Sequence, residues 1–200
     1  LDATTGTADT AFAAQDGVVG TVYDLSIAGN ALFVGGFFSE YRGAPVRNIV
    51  KLNKNSGAVD SGFTPGTSTD EPIARVVASG NSVYIGGNFS TYQGLPAAGI
   101  AKLDASTAAL DRVFTRSTGF DQTAFIPQRY VVDLHSSPDG LFVGGNFRAY
   151  RGFAAPKLAK ISVATGERDP VFNTPASADR TVIALARDGS SLYFGGSFSR

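Results

Sequence analysis

Apolar residues in this chain come in short runs of strand length, separated by Gly, Asn, Asp, Ser and Pro. Several runs, such as Leu32-Phe33-Val34, are apolar at successive positions, so both faces of the strand they predict need cover. β-Branched and aromatic residues dominate these runs, and the polar clusters between them predict turns. A first strand is expected at residues 22–26, with counterparts at 73–77, 131–135 and 182–186. A turn such as Ala28-Gly29-Asn30 then leads into a second strand, which makes a hairpin. After a connection of twelve residues comes a third strand, at 49–52, 100–103 and 158–161. A turn of the 53–57 type gives a fourth strand, ending at a phenylalanine.

These elements recur. Gly-Gly pairs close the second strand at Gly35-Gly36, Gly86-Gly87, Gly144-Gly145 and Gly195-Gly196, with spacings of 51, 58 and 51 residues. Phe38, Phe89, Phe147 and Phe198 follow them, and the first three copies continue to Tyr41, Tyr92 and Tyr150, then Gly43, Gly94 and Gly152. At the same period Asp9, Asp60, Asp111 and Asp169 precede Phe12, Phe63, Phe114 and Phe172. Strands apolar on both faces suit a blade sandwiched between two neighbours. The fold expected is all-β: propeller blades of four antiparallel strands in one segment, 1–200. Its repeats are 1–51, 52–102, 103–160 and 161–200, the last truncated. A stacked solenoid is the competing repeat architecture, but two hairpin-like turns per copy favour blades. Complete units at 22–63, 73–114 and 131–172, with partial ones outside them, lead to the expectation of an open section of a larger ring, about six to eight blades.

A glycine inside a strand costs about 0.5–1 kcal/mol relative to alanine. Its recurrence in every copy therefore points either to a neighbouring blade too close for a β-carbon or to a bulge. A phosphate cradle is the wrong reading, since no helix start follows and no Lys-Ser or Lys-Thr pair completes it. The turns at 2–6, 53–57 and 104–108 hold too few carboxylates for calcium and suit Asx hydrogen bonding.

The run Leu-Phe/Tyr-Val-Gly-Gly-x-Phe, followed by Ile-Ala-Lys-Leu-Asp-x-x-Thr and Asp-x-x-Phe, resembles the bacterial delta-60-repeat β-propeller domains. More distantly it is similar to kelch repeats, although the kelch tryptophan is absent and Phe12, Phe63, Phe114 and Phe172 stand in its place. The resemblance covers the whole chain, and it implies a part of a bacterial secreted or cell-surface protein, hence an extracellular location.

Composition narrows the chemistry. Seventeen basic residues balance seventeen acidic ones, so no net field draws the chain to nucleic acid, and no apolar run approaches a membrane span. Cysteine is absent and His135 is the lone histidine. That excludes a thiolate site within this segment, together with the copper chemistry of the galactose-oxidase-like enzymes, whose propeller is related. The repeated aspartates could serve as paired acids for glycoside hydrolysis, but their presence in every copy favours a shared structural bond. No cofactor and no metal are expected.

Two sets of residues are candidates for ligand binding. A seven-residue insertion falls within 115–130, on the link between blades, and carries Phe120, Phe125, Arg129 and Tyr130. These suit a sugar or protein contact, or else fold onto the blade edge. The middle of the first strand holds Asp24, Arg75, Asp133 and Ala184, which would line a central channel or pair with one another. The function expected is a non-catalytic binding or display propeller recognising protein or glycan through loops on one face. Its other partners would be further blades of the same or an adjacent chain. The alternatives are the propeller of a secreted hydrolase or oxidase whose catalytic residues lie elsewhere, and a structural spacer in a surface assembly.

Overall fold

The computed structural model describes residues 1–12, 16–116, 118–121, 131–172 and 180–197. Every element among them is a strand. The first blade holds β1 (Val18–Ala28), β2 (Ala31–Tyr41), β3 (Ala44–Pro45) and β4 (Ile49–Asn53). The second holds β5 (Ile73–Ser79), β6 (Ser82–Gly87), β7 (Thr91–Tyr92), β8 (Leu95–Pro96) and β9 (Ile100–Asp104). The third repeats this with β10 (Val131–Ser137), β11 (Gly140–Gly145), β12 (Ala149–Tyr150), β13 (Phe153–Ala154) and β14 (Leu158–Ile161), and the fourth has β15 (Val182–Asp188) and β16 (Ser191–Gly196).

Each of the first three blades is an antiparallel sheet in the order first, second, third strand: β1-β2-β4, β5-β6-β9 and β10-β11-β14. The fourth strand is the shortest, meeting the third at one bridge per blade: Leu52 with Val59, Leu103 with Leu110, Ile161 with Arg168. It ends there because the next aspartate turns the chain; Asp111, for instance, accepts hydrogen bonds from the amides of Val113 and Phe114 at 2.9 and 3.0 Å. Successive first strands pack on one another, β1 on β5, β5 on β10 and β10 on β15. Sheets joined along their first strands and packed face to face are the blades of a β-propeller.

The twelve-residue connection contains a small hairpin that the strand pattern alone does not predict: β2 with β3, β7 with β8, β12 with β13. Its two-residue loops, Arg42-Gly43, Gln93-Gly94 and Arg151-Gly152, have positive φ at both positions, 49 and 76°, 50 and 74°, 50 and 80°. A type I′ turn needs that geometry, which explains the glycine two residues after each periodic tyrosine.

The two glycines of each pair do different work. The first faces the next blade: a β-carbon on Gly35 would lie 2.3 Å from Val76 Cγ2, one on Gly86 2.4 Å from Val131 Cγ1, and one on Gly144 2.7 Å from Val182 Cγ1. The second faces backbone of its own blade, where a β-carbon on Gly36 would lie 2.1 Å from the Thr21 oxygen and one on Gly87 2.4 Å from that of Pro72. A register shift in each first strand brings that backbone close, at Val22/Asp24, Ile73/Arg75, Val131/Asp133 and Val182/Ala184. Close blade approach and bulge both hold, one for each glycine.

Aromatic side chains fill the blades. Phe33 packs edge-on against Phe63, Tyr84 against Phe114 and Phe142 against Phe172, with ring centroids 5.6, 5.4 and 5.5 Å apart. The hydroxyls of Tyr41, Tyr92 and Tyr150 donate to the carbonyls of Gly57, Ala108 and Gly166 at 2.7, 2.8 and 2.7 Å, tying each small hairpin to the outer turn.

Candidate functional site

The first-strand charges Asp24, Arg75 and Asp133 meet across three blades. Arg75 lies 3.5 Å from Asp24 through Nη1 and 2.9 Å from Asp133 through Nε. Each carboxylate also reaches forward: Asp24 Oδ2 accepts from the Val76 amide at 2.8 Å, and Asp133 Oδ2 from the Leu185 amide at 2.6 Å. Acceptors on one blade thus meet backbone donors of the next, and Ala184 ends the row.

The repeated aspartates are similarly engaged. Lys51, Lys102 and Lys160 pair with Asp60, Asp111 and Asp169 at 2.7, 3.0 and 2.9 Å. The lysine hydrogen bond is the main cause that holds Asp60 and Asp169 below the usual carboxylate range. In the outer turns Asp2, Asn53, Asp104 and Ser162 each accept from amides two and three residues ahead, as Asx and Ser turns do. The hydroxyl of Ser106 and the amides of Ser106 and Thr107 pull Asp104 down to about 2. His135 lies in β10 opposite Phe142. Among the described residues no group of three His, Asp or Glu side chains could hold a metal ion.

Of the insertion residues, Phe120 is buried, its ring 4.2 Å from that of Phe147 and 4.6 Å from that of Tyr150. It bridges Tyr150 as Thr69 bridges Tyr92, so it belongs to the repeat and the extra residues come after it. Phe125, Arg129 and Tyr130 lie outside the described residues. The structure therefore brings Asp24, Arg75 and Asp133 together and places Phe120 apart from them, in the aromatic core.

On the face where the links enter the blades, the first three copies differ. In the second blade Asp70 accepts from the amides of Ser90 and Thr91, both at 2.9 Å, and in the third Asp121 accepts from those of Arg148 and Ala149 at 2.8 and 2.9 Å. Desolvation raises the pKa of Asp70, but the Ser90 hydroxyl and the amides outweigh it and hold the group low. In the first blade the counterpart is Val19, which pairs with Glu40 in a prolonged β1–β2 ladder. Across that ladder Phe37 stands where the other copies have Asn88 and Asn146. A cleft of about 380 Å³ opens here, lined by Val19, Phe37, Pro45, Val46, Arg47 and Gly66 among others. Phe37 is 56 % exposed. The Arg47 guanidinium, also exposed, donates to the Asp70 carbonyl at 2.9 Å. Asn48 forms the floor, its amide donating to Thr69 and Glu71 carbonyls at 3.1 and 3.2 Å. The sequence holds a signal for this cleft, Gly-Gly-Phe-Phe where other copies read Gly-Gly-Asn-Phe or Gly-Gly-Ser-Phe.

Repeated blades with an apolar cleft on one face define a β-propeller domain. A family of β-propeller domains of unknown function (DUF5122) matches residues 30–63. Among solved structures, the crystal structure of the computationally designed Ika4 protein superposes with a TM-score of 0.56 at 12 % identity, covering 90 % of this chain and 88 % of that one. That likeness is one of fold. No curated protein matches.

Proposed function

We propose that this propeller is a non-catalytic binding module of an extracellular or cell-surface protein, recognising a glycan or a protein segment on the face where the links enter the blades. The observation that carries the reading is the break in symmetry at Phe37. In the second and third blades an asparagine stands at this position and a carboxylate caps the neighbouring amides; here an exposed ring borders a half-open cleft with a guanidinium at its rim. The volume falls within the range of small-ligand sites, and an aromatic face beside an arginine suits an apolar sugar face or side chain carrying an acceptor. In the sequence the seven-residue insertion lies between Asp121 and Val131, on the link into the third blade. The carboxylates that could act as paired acids are held instead by lysines and backbone amides. The extracellular setting rests on the resemblance to delta-60 repeats.

Glycan-array and peptide-display screens of the chain test this, followed by Phe37→Asn and Arg47→Ala. Phe37→Asn installs the second blade's own residue and should preserve the fold while weakening binding at least about tenfold, as loss of an aromatic anchor does. A triple replacement of Phe125, Arg129 and Tyr130 measures what the insertion adds. Capture from neither library, or undiminished binding by both cleft variants, refutes the proposal.

A further inference from the structure

The joint between the first and second blades is filled less fully at one end than the joint between the second and third. That end carries the hairpin turns and lies opposite to the links. On one side Ala28, Ala31 and Phe33 of the first blade stand where the second blade offers Ser79, Ser82 and Tyr84 to the third. On the other side Gly80 and Ala105 stand where the third blade has Pro138 and Val163. Each of these differences removes atoms, and the lost hydroxyls leave the walls more apolar. A cleft of about 390 Å³ opens between the two blades, lined by Ala28, Ala31, Phe33, Lys51, Gly80 and Ala105 among others. It runs into a second, of about 440 Å³, which shares Ala28, Ala31 and Lys51 and continues along the first blade past Asn53. The blades on both sides have all four of their strands.

The joint between the second and third blades displays what this place accepts. There Val163, in the outer turn of the third blade, packs against the core of the joint. Its carbonyl accepts from Lys102 Nζ at 3.0 Å and from the Tyr84 hydroxyl at 3.3 Å. One branched aliphatic side chain and the carbonyl of the same residue fill the space together. At the first joint Ala105 brings only a methyl group, and its amide is tied to the Asn81 carbonyl of its own blade at 2.9 Å. Lys51, the counterpart of Lys102, pairs with Asp60 at 2.7 Å and has no second acceptor among the described residues. An ammonium has three protons to donate, so Lys51 keeps donors to offer.

We propose that this cleft takes a peptide segment of a partner protein, which enters with one branched side chain of the valine or isoleucine kind and whose carbonyl at that residue accepts from Lys51. The ligand is read from the molecule itself, because the cleft matches, part for part, the place that Val163 fills one joint further on. A peptide suits it better than a free aliphatic molecule on two counts. Side chain and carbonyl belong to one residue in Val163, and the cleft continues along the first blade, with room for the residues on either side. Charge narrows the segment further. Asp60 and Asp104 border the cleft, and both are held below the usual carboxylate range, Asp60 chiefly by Lys51 and Asp104 by Ser106 and Thr107. Both therefore stay ionised and repel an acidic segment, so Lys51 meets a neutral carbonyl and not a carboxylate. The site is at the opposite end of the blades from Phe37 and does not rest on the function proposed for that cleft.

Titration of the chain with N-acetylvaline amide, followed through the protein's methyl and amide NMR signals, is the test. The probe should bind with a Kd of about 1–10 mM, as a ligand of this size does, and should move the signals of Ala28, Ala31 and Ala105. N-acetylglycine amide lacks the side chain and should bind at least about tenfold more weakly. Ala105→Val with Phe33→Tyr installs the residues that fill the next joint; it should keep a native circular dichroism spectrum and weaken binding of the valine probe at least about tenfold. Lys51→Met keeps the apolar stem and removes the donor, and should weaken binding about tenfold. No shift with the probe at about 50 mM, well above the expected Kd, would overturn the proposal. So would equal affinity for the two probes, undiminished binding by either variant, or shifts centred on Val19, Phe37 and Val46. Phe37→Asn should leave this titration unchanged, so the two proposals fail separately.

Discussion

Adding a methyl group at Gly86 is the most direct probe of how the blades fit. The new β-carbon would lie 2.4 Å from Val131 Cγ1 and 3.1 Å from Leu134 Cδ1, inside contact distance of both. Val131 is fully buried and stiff about its single side-chain torsion, so the clash is relieved only by moving the next blade. Overpacking of this kind costs about 1–3 kcal/mol. Replacing a strand glycine by alanine also restricts the unfolded chain, which returns about 0.4–1 kcal/mol. The net loss for Gly86→Ala should be about 1–2 kcal/mol, a fall of several degrees in midpoint for a chain of this size. Gly195→Ala is the matched control. It has the same place in the repeat and no neighbour, so it should be neutral or stabilising by up to about 1 kcal/mol. Gly87→Ala meets the Pro72 carbonyl at 2.4 Å, and because backbone cannot step aside it should cost more than Gly86→Ala. Thermal and urea unfolding followed by far-ultraviolet circular dichroism read all three. Equal midpoint shifts for Gly86→Ala and Gly195→Ala would show that the glycines are not where the blades touch.

The remaining predictions concern buried polar groups. Tyr92→Phe removes the hydroxyl that serves the Ala108 carbonyl at 2.8 Å; that leaves a buried acceptor unpaired and should cost about 1–3 kcal/mol in urea unfolding, with an unchanged midpoint counting against it. Desolvation pushes the Tyr150 phenol up from 10.0 to about 12, so the folded state holds this proton after the unfolded state has released it. Its contribution to stability is complete below pH 10.0 and is lost as pH rises towards about 12; phenolate absorbance seen in the wild type and missing from Tyr150→Phe, appearing before the loss of circular dichroism signal, would contradict this. Arg75→Met leaves Asp24 and Asp133 without the cation between them. The guanidinium is 33 % exposed, so the loss should be about 1–2 kcal/mol, below the 3–5 kcal/mol of a fully buried pair, and an unshifted melting midpoint would show the row to be incidental.

The architecture is legible in the sequence because its strongest signals are the residues that touch between blades. Gly35, Gly86 and Gly144 recur because each meets a branched side chain of the next sheet, and Phe63, Phe114 and Phe172 recur because each closes on a ring thirty residues earlier. The repeated aspartates also read correctly as shared bonds, each engaged by a lysine or by local amides. What the pattern could not deliver was direction. Phe120 stands beside an insertion and looks like a recognition residue, but its register partner is Tyr150, and a ring at that place turns in to meet Phe147. Nothing near it in sequence announces that pairing.

The cleft escapes for a related reason. Phe37 belongs to an apolar run, where a further phenylalanine reads as more core. Its meaning comes from the comparison with Asn88 and Asn146 and from the side of the sheet it shares with Phe33 and Gly35. Toward the middle of that sheet the same side meets the second blade; at Phe37 it meets only the link around Gly66, which is too small to cover it. Positions that repeat therefore hold the blades together, and a position that departs from the repeat on the face of the links is where a ligand can be distinguished from another blade. The same logic separates the cleft from the faces at Val22 and Gly195: those keep the repeat's residues and suit a blade, whereas Phe37 has left the repeat and no blade of this kind matches it.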